Sequence, residues 1–327
     1  MRAWQVERLG EPIEVMSLNE IERPSVGPDE VLVKARAVAI NFPDALLAKG
    51  EYQVKPELPF SPGLELCGEI VELGPGAEAF GLSVGQRVVA SRIGVLAEYS
   101  VIDARTVFPA PDALSDEEAA ALFIGYQTGY FGLHRRAAIK PGETLLVHAA
   151  AGGVGTAAVQ LGKAAGATVI GVVGSAAKID VAKRAGADHV IDRSVDDFVQ
   201  VVNDLTHGTG ADVIYDPVGG DVFERSTKCI AFEGRIIVVG FASGSVGVAK
   251  ANHALVKNYG ILGLHWGLYA TKAPQLIAEA HRELTKLADA GAVRPVIGEV
   301  LPFERAAEAI QRVASGESVG RLVVTLD

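Results

Sequence analysis

The segment Thr144-Leu145-Leu146-Val147-His148-Ala149-Ala150-Ala151-Gly152-Gly153-Val154-Gly155 constrains this chain more than any other stretch. A run of apolar residues enters a turn built only of small side chains. A pattern with apolar Val154, Ala157, Ala158 and Leu161, at i, i+3, i+4 and i+7, leaves it. That spacing predicts a buried strand, a tight turn and a helix in immediate succession. The G-x-G-x-x-G fingerprint is met as Ala150-x-Gly152-x-x-Gly155, with alanine in the first place. Small residues let a backbone approach a pyrophosphate, and a helix N-terminus offers N–H groups and the positive end of its dipole. The expectation is a dinucleotide cradle at Ala151, Gly152, Gly153, Val154 and Gly155. The competing reading is a purely structural turn.

About 20 residues further on, at the end of the next strand, an NAD site carries Asp or Glu for the ribose 2′-hydroxyl. This chain has Val172-Val173-Gly174-Ser175 there, followed by Lys178. A small, neutral strand end with a cation nearby suits a 2′-phosphate, and Arg193 after the third strand would add a second positive charge. NADP(H) is the expected cofactor. The alternative is that Lys178 and Arg193 are solvated surface cations.

The chain has 327 residues, which favours two domains. Hydrophobic residues make up 49% and charged residues 21%, with no long, highly charged polar stretch, so disorder is excluded. The net charge of −10 gives no attraction to phosphate backbones or anionic lipid, which argues against nucleic-acid and membrane partners. Only Cys67 and Cys229 are present, far apart, so neither a disulfide framework nor a cysteine-rich zinc lobe is available, and a reducing cytoplasm is expected. The charged N-terminus is unlike a signal peptide, and residues 145–174 are interrupted by His148, Gln160 and Lys163 before they reach a membrane span.

The first hundred residues read as short strands at 31–38, 69–73 and 86–90, punctuated by Gly27-Pro28, Pro62-Gly63 and Gly74-Pro75-Gly76. They suggest a twisted, barrel-like β domain. Ser115 and Glu118 form a capping-box signature that opens a helix. Strands at 144–149, 168–173, 190–191, 213–215 and 235–239 then alternate with helices at 154–165, 176–185 and 196–205, the pattern of a parallel sheet. Amphipathic segments at 274–290 and 304–314 precede a closing strand at 321–326, whose natural host is the first β domain. The expected organisation is residues 1–120 with 265–327 as one discontinuous unit around an inserted α/β unit, 121–264. The run 259–266 reads as an apolar edge strand, and such an edge invites pairing with a second copy.

Gly142-Glu143, Leu146, Ala150-Ala151-Gly152-Gly153-x-Gly155, Gln160 and Lys163 together resemble the signature of the quinone oxidoreductase branch of the medium-chain dehydrogenase/reductase superfamily. The order of elements is similar over the whole chain, from Asn41-Phe42-Pro43-Asp44 to Gly320-Arg321-Leu322-Val323-Val324. The resemblance implies an α/β fold in which a Rossmann parallel sheet is inserted in a GroES-like twisted β-barrel domain, and a homodimer joined through the cofactor-domain edge strand. Zinc-dependent members hold a catalytic metal through three side chains. The matching places here are Asn41, Leu64 and Ile124, poor zinc ligands, and no metal is expected.

Without a Lewis acid, the electrophile must be activated otherwise, which favours quinones and α,β-unsaturated carbonyls: these accept hydride at a conjugated carbon. By resemblance, Asn41 and Thr128 lie near the nicotinamide or the acceptor oxygen, and Tyr52 matches the proposed proton donor of enoyl-thioester reductases. Each also has a structural reading: a turn residue, a helix-interior hydroxyl and a packing residue respectively. Leu46 stands where quinone reductases often carry a second tyrosine, which makes the pocket more apolar. Val218, Gly240 and Phe241 follow parallel strands and are expected along the cofactor cleft, while Asn258 and Arg321 match positions that reach the cofactor in similar enzymes. Asp44 and Glu65 read as braces and Cys67 as an inert core thiol. The resulting expectation is an NADPH-dependent, zinc-independent reductase of quinones or similar conjugated carbonyls. Its rivals are an enoyl-thioester or 2-alkenal reductase and a non-catalytic NADPH-binding protein.

Overall fold

The glycine-rich segment folds as strand, turn and helix in the computed structural model, which describes residues 1–326. Strand Thr144–His148 lies at the centre of a sheet that has six strands among the described residues, all parallel. Across the sheet the order is His189–Asp192, Thr168–Val173, Thr144–His148, Ala211–Asp216, Ile230–Val238 and Gly260–Gly263. In chain order that is 3-2-1-4-5-6, the doubly wound arrangement, whose switch point lies beside Thr144–His148. Buried Leu146, Ile170, Ile191, Ile214 and Ile236 point to one face of this sheet, where Phe198 and Phe223 cover them. The last strand, Gly260–Gly263, is half-exposed, and its outer edge has no neighbour among the described residues.

A second unit is built on strand Glu30–Ala39. It pairs antiparallel with Glu65–Leu73 along one edge and, along the other, with Tyr99–Asp103 and then Arg321–Thr325. The closing strand thus joins the N-terminal sheet, with Val324 opposite Val38. Register shifts at Leu32/Val33 and Ala35/Ala37 bend the strand between its two partners. Val33, Val38, Leu66, Ile70, Val88 and Leu322 form its core.

The chain divides into Met1–Ile124 with the segment from Ile297 onward, and Gly125–Val296. The split organisation is therefore present, but residues 265–296 belong with the parallel sheet rather than with the first unit. Helix Pro274–Asp289 buries Ile277, Ala280 and Leu284, and Gln127 Nε2 donates to Ile277 O at 3.0 Å. An amphipathic helix reads alike against either host, so its pattern could not assign it.

Several elements were not foreseen, and one of them bears on the site. Helix Phe42–Lys49 starts at Asn41, whose N–H donates to Asp44 Oδ2 at 2.7 Å, and stops at Gly50, which sits at φ 71°. Among the described residues no helix is long and apolar enough to cross a membrane.

Candidate functional site

The candidate residues of the parallel-sheet unit are positioned by backbone. Beyond His148 the chain turns on Ala149, at φ 50°, and Gly152 N–H closes back on Ala149 O at 2.8 Å. A Cβ on Gly155 would lie 2.0 Å from that same oxygen, so only glycine lets the helix start so close to the turn. The helix, Gly153–Ala164, opens on Gly152 without a side-chain cap. The N–H groups of its first turn therefore have no acceptor from the helix or from a cap, as an anion site requires. Helix Asp116–Tyr130 carries buried Thr128 past this point. Two missing side chains admit it: Gly125 faces Gly153 O, and Gly129 faces Leu161.

Four loops leave the same carboxyl edge. Gly174 and Ser175 follow strand Thr168–Val173, and Arg193 follows His189–Asp192 with its N–H on Val173 O at 3.0 Å. The Arg193 guanidinium comes within about 4 Å of the place a Gly174 Cβ would occupy, so glycine leaves it room. Burial, and then the charge of Arg193, holds the Lys178 ammonium below its ordinary pKa. Two cations thus approach one another at the end of the second strand, an arrangement that an anion between them stabilises. Val218 and Gly219 are held by Asp216 Oδ1, which accepts their N–H groups at 2.8 and 3.0 Å. Gly240 and Phe241 follow Ile230–Val238, and Gly240 packs close to Pro217 O.

Asn258 is not among these residues. It sits at φ 53°, closing helix Ala251–Lys257, and its carbonyl accepts from Glu233. It precedes strand Gly260–Gly263, at the amino end of a parallel strand, and so lies at the opposite edge of the sheet from the glycine turn. The same strand-end rule that found Gly174 and Gly240 points instead to Leu264, His265 and Trp266. Leu264 N–H bonds Val238 O at 2.9 Å at the carboxyl edge. Reading 259–266 as one long edge strand hid them. His148 ends one central strand and read only as part of its apolar run, whereas Asp216, at the end of the other, opens the Asp216–Gly220 loop that was expected along the cofactor cleft.

In the other unit, the sequence-predicted residues form a buried polar cluster. Asn41 Nδ2 donates to Ala39 O at 3.1 Å and Glu65 Oε1 at 2.9 Å, while Asn41 Oδ1 accepts from Arg321 Nη1 at 3.0 Å. Arg321 also pairs with Glu65 through Nη2, and Glu65 Oε2 accepts from Ile124 N at 2.6 Å. Both amide hydrogens of Asn41 are thereby committed, and none remains for a substrate oxygen. Arg321, 5% exposed, joins the same cluster through Nη1 and Nη2, while its Nε has no hydrogen-bond partner among the described residues. A buried carboxylate must find donors, and these are the ones within reach.

Asp44 braces the turn through Asn41 N–H at 2.7 Å and Gly63 N–H at 3.0 Å. Burial, with the Glu65 charge adding, pushes its carboxyl up to about 7 against those two hydrogen bonds. Tyr52 is half-buried against the apolar core; burial first, then the Asp44 charge, holds its phenol protonated above the usual range. Burial pushes the Cys67 thiol up to about 12, which leaves it unreactive.

Asn41 and Ile124 meet at Glu65, and Leu64 precedes it in the chain, so the three positions aligned with zinc ligands gather around one carboxylate. They supply a committed amide and two aliphatic side chains, and the Arg321 guanidinium already lies among them. This donor set does not fit zinc.

Residues 27–112 match the alcohol dehydrogenase GroES-like domain family, and residues 153–282 match the zinc-binding dehydrogenase family. The chain is 39% identical over 327 residues to quinone oxidoreductase-like protein 2 homolog of Nematostella vectensis, covering 99% of this chain and 88% of that protein. It is 37% identical over 298 residues to the quinone oxidoreductase of Salmonella typhimurium, covering 88% and 87%. The crystal structure of Escherichia coli quinone oxidoreductase complexed with NADPH superposes with a TM-score of 0.91, at 32% identity, over 100% of both chains.

Proposed function

The chain belongs to the quinone oxidoreductase branch of the medium-chain dehydrogenase/reductase superfamily, and from that membership we propose a zinc-independent, NADPH-dependent reductase of quinones or similar conjugated carbonyls. The observation that carries the reading is the donor set around Glu65, where a guanidinium and apolar side chains occupy the metal positions. With no Lewis acid, an isolated ketone is a poor acceptor, whereas a conjugated one delocalises the incoming charge onto its oxygen.

When bound, NADPH supplies the hydride. The chain's own residues do the rest. Gly153, Val154 and Gly155 offer N–H groups to a pyrophosphate, with Ala151 and Gly152 as the small residues before them. Lys178 and Arg193 answer a 2′-phosphate beside Gly174 and Ser175. Val218, Gly240 and Phe241 line the remaining loops, and Thr128 offers a hydroxyl near the glycine turn. Tyr52, kept protonated, serves in this reading as the donor to an enolate oxygen. Asn41 and Arg321 brace Glu65. Gly260–Gly263, an open strand edge, supports a homodimer formed by its pairing with a second copy.

The test is NADPH oxidation with a panel of quinones against crotonyl-CoA and a 2-alkenal. Turnover of quinones by a wide margin is expected. Preference for crotonyl-CoA or the alkenal would make the chain an enoyl-thioester or alkenal reductase. Tight NADPH binding with every acceptor refused would make it a non-catalytic binder.

A further inference from the structure

Three exposed aliphatic side chains of the first unit gather beside Tyr52. Helix Phe42–Lys49 ends on Gly50, and the N–H groups of Glu51 and Tyr52 both close back on Leu46 O, at 2.8 and 3.2 Å. Residues 51–59 then cross the surface without helix or strand. Leu9 lies directly over Gly50, where a Cβ would meet its Cδ1 at 2.6 Å. Val6 and Phe60 exchange both backbone hydrogen bonds, at 2.8 and 3.2 Å, as an antiparallel pair. The chain leaving Val6 toward Leu9 therefore runs beside the chain arriving from Leu58. Leu9, Val54 and Leu58 are 51%, 51% and 45% exposed. A single exposed aliphatic residue is ordinary. Three brought to one loop, next to half-buried Leu46 and Tyr52, make an apolar surface of the kind that receives a ligand.

Charge decides what that surface accepts. Residues 1–124 and 297–327 hold 25 acidic against 13 basic residues, whereas residues 125–296 hold 15 against 17. The surplus negative charge of the chain therefore belongs to the unit that carries Tyr52. On the loop itself Glu51 and Glu57 are exposed and have no ion pair among the described residues. Lys55 is the loop's one cation, and Lys49 before it is committed to Glu11 at 2.8 Å. We propose that Leu9, Val54 and Leu58 seat the aliphatic tail of the acceptor, so that the substrate is an uncharged quinone or enone bearing an alkyl or prenyl chain, and not a polyanionic thioester. This rests on the reductase reading above. Each methylene that settles on an open apolar surface should tighten binding by about twofold. The carboxylates repel the phosphates of coenzyme A over roughly a Debye length, about 10 Å at 0.1 M salt, and leave an uncharged tail alone.

The experiment gives the full-length protein one benzoquinone with methyl, butyl, hexyl or decyl side chains, and measures calorimetric affinity without NADPH and kcat/KM with it. Both should rise by about twofold per methylene over the first few carbons, through KM rather than kcat. Leu9→Ser combined with Val54→Ser and Leu58→Ser should bring the decyl-to-methyl ratio to about one. A decyl tail ended in sulfonate should react at least about fivefold more slowly than one ended in trimethylammonium at low salt, and the gap should close at high salt. A flat chain-length series in the wild type, or equal rates for the two charged ends, overturns the proposal even if the serine variant does not fold. So does a lower sedimenting mass for that variant, which would make the surface an interface between copies. Turnover with a flat series leaves the reductase reading standing. Graded binding with no quinone turned over removes that reading and not the tail seat.

Discussion

Gly155 is the residue at which the fold and the proposed cofactor site are least separable. A Cβ there would lie 2.0 Å from Ala149 O, and its absence is what lets the Gly153–Ala164 helix start so close to the turn. Gly155→Ala should therefore lower stability by about 1–3 kcal/mol and weaken NADPH binding together, as denaturant unfolding and cofactor titration would report. Lys178→Ala and Arg193→Ala should act differently, leaving stability alone while narrowing the preference for NADPH over NADH. Equal affinities in the wild type would remove the 2′-phosphate assignment. Asp44 gives a pH signature. Its carboxyl ionises less readily in the fold, near 7, than in the unfolded chain, so its stabilising contribution is complete below the unfolded value and is lost as pH rises through 7. Wild-type stability should fall between about pH 4 and 7 by on the order of a few kcal/mol. Asp44→Asn should start less stable and change less, and identical pH profiles would contradict this account. Tyr52→Phe should slow an enone far more than a quinone, since a quinol collects protons from water. Unchanged rates with both would remove Tyr52 from the chemistry.

Elements were legible where one pattern had one host. The Thr144–His148 strand, its turn and the following helix could be read directly, because a strand end, a small-residue turn and a 3.6-residue repeat fit no other arrangement. Helix Phe42–Lys49 was not read, because its signal is a cap, Asn41 with Asp44, rather than an apolar stripe. Helix Pro274–Asp289 was recognised but given to the wrong unit, since its apolar face says what it needs and not who supplies it. Asn258 was carried by resemblance to a place that its parallel strand points away from. The commitment of Asn41 and Arg321 to Glu65 depends on residues far apart in the chain, which no local pattern shows. The open edge at Gly260–Gly263 carries its own prediction: wild type should sediment at twice the chain mass, and Ile261→Lys with Leu262→Lys at the mass of one chain. A monomeric wild type would leave that edge without the proposed role.

The whole molecule joins a GroES-like unit without a zinc donor set to a doubly wound unit with a nucleotide cradle. The chemistry proposed for it follows from that combination. Gly155 gives the cradle its close approach to Ala149 O, and the scarcity of cysteine agrees with apolar side chains and a committed amide at the three positions aligned with zinc ligands. The decisive measurement is the rate of NADPH oxidation by a quinone for protein exhaustively treated with a zinc chelator, with metal content determined on the same sample. No stoichiometric zinc and an undiminished rate are predicted. One zinc per chain, with activity lost on chelation and restored by zinc, would contradict the account.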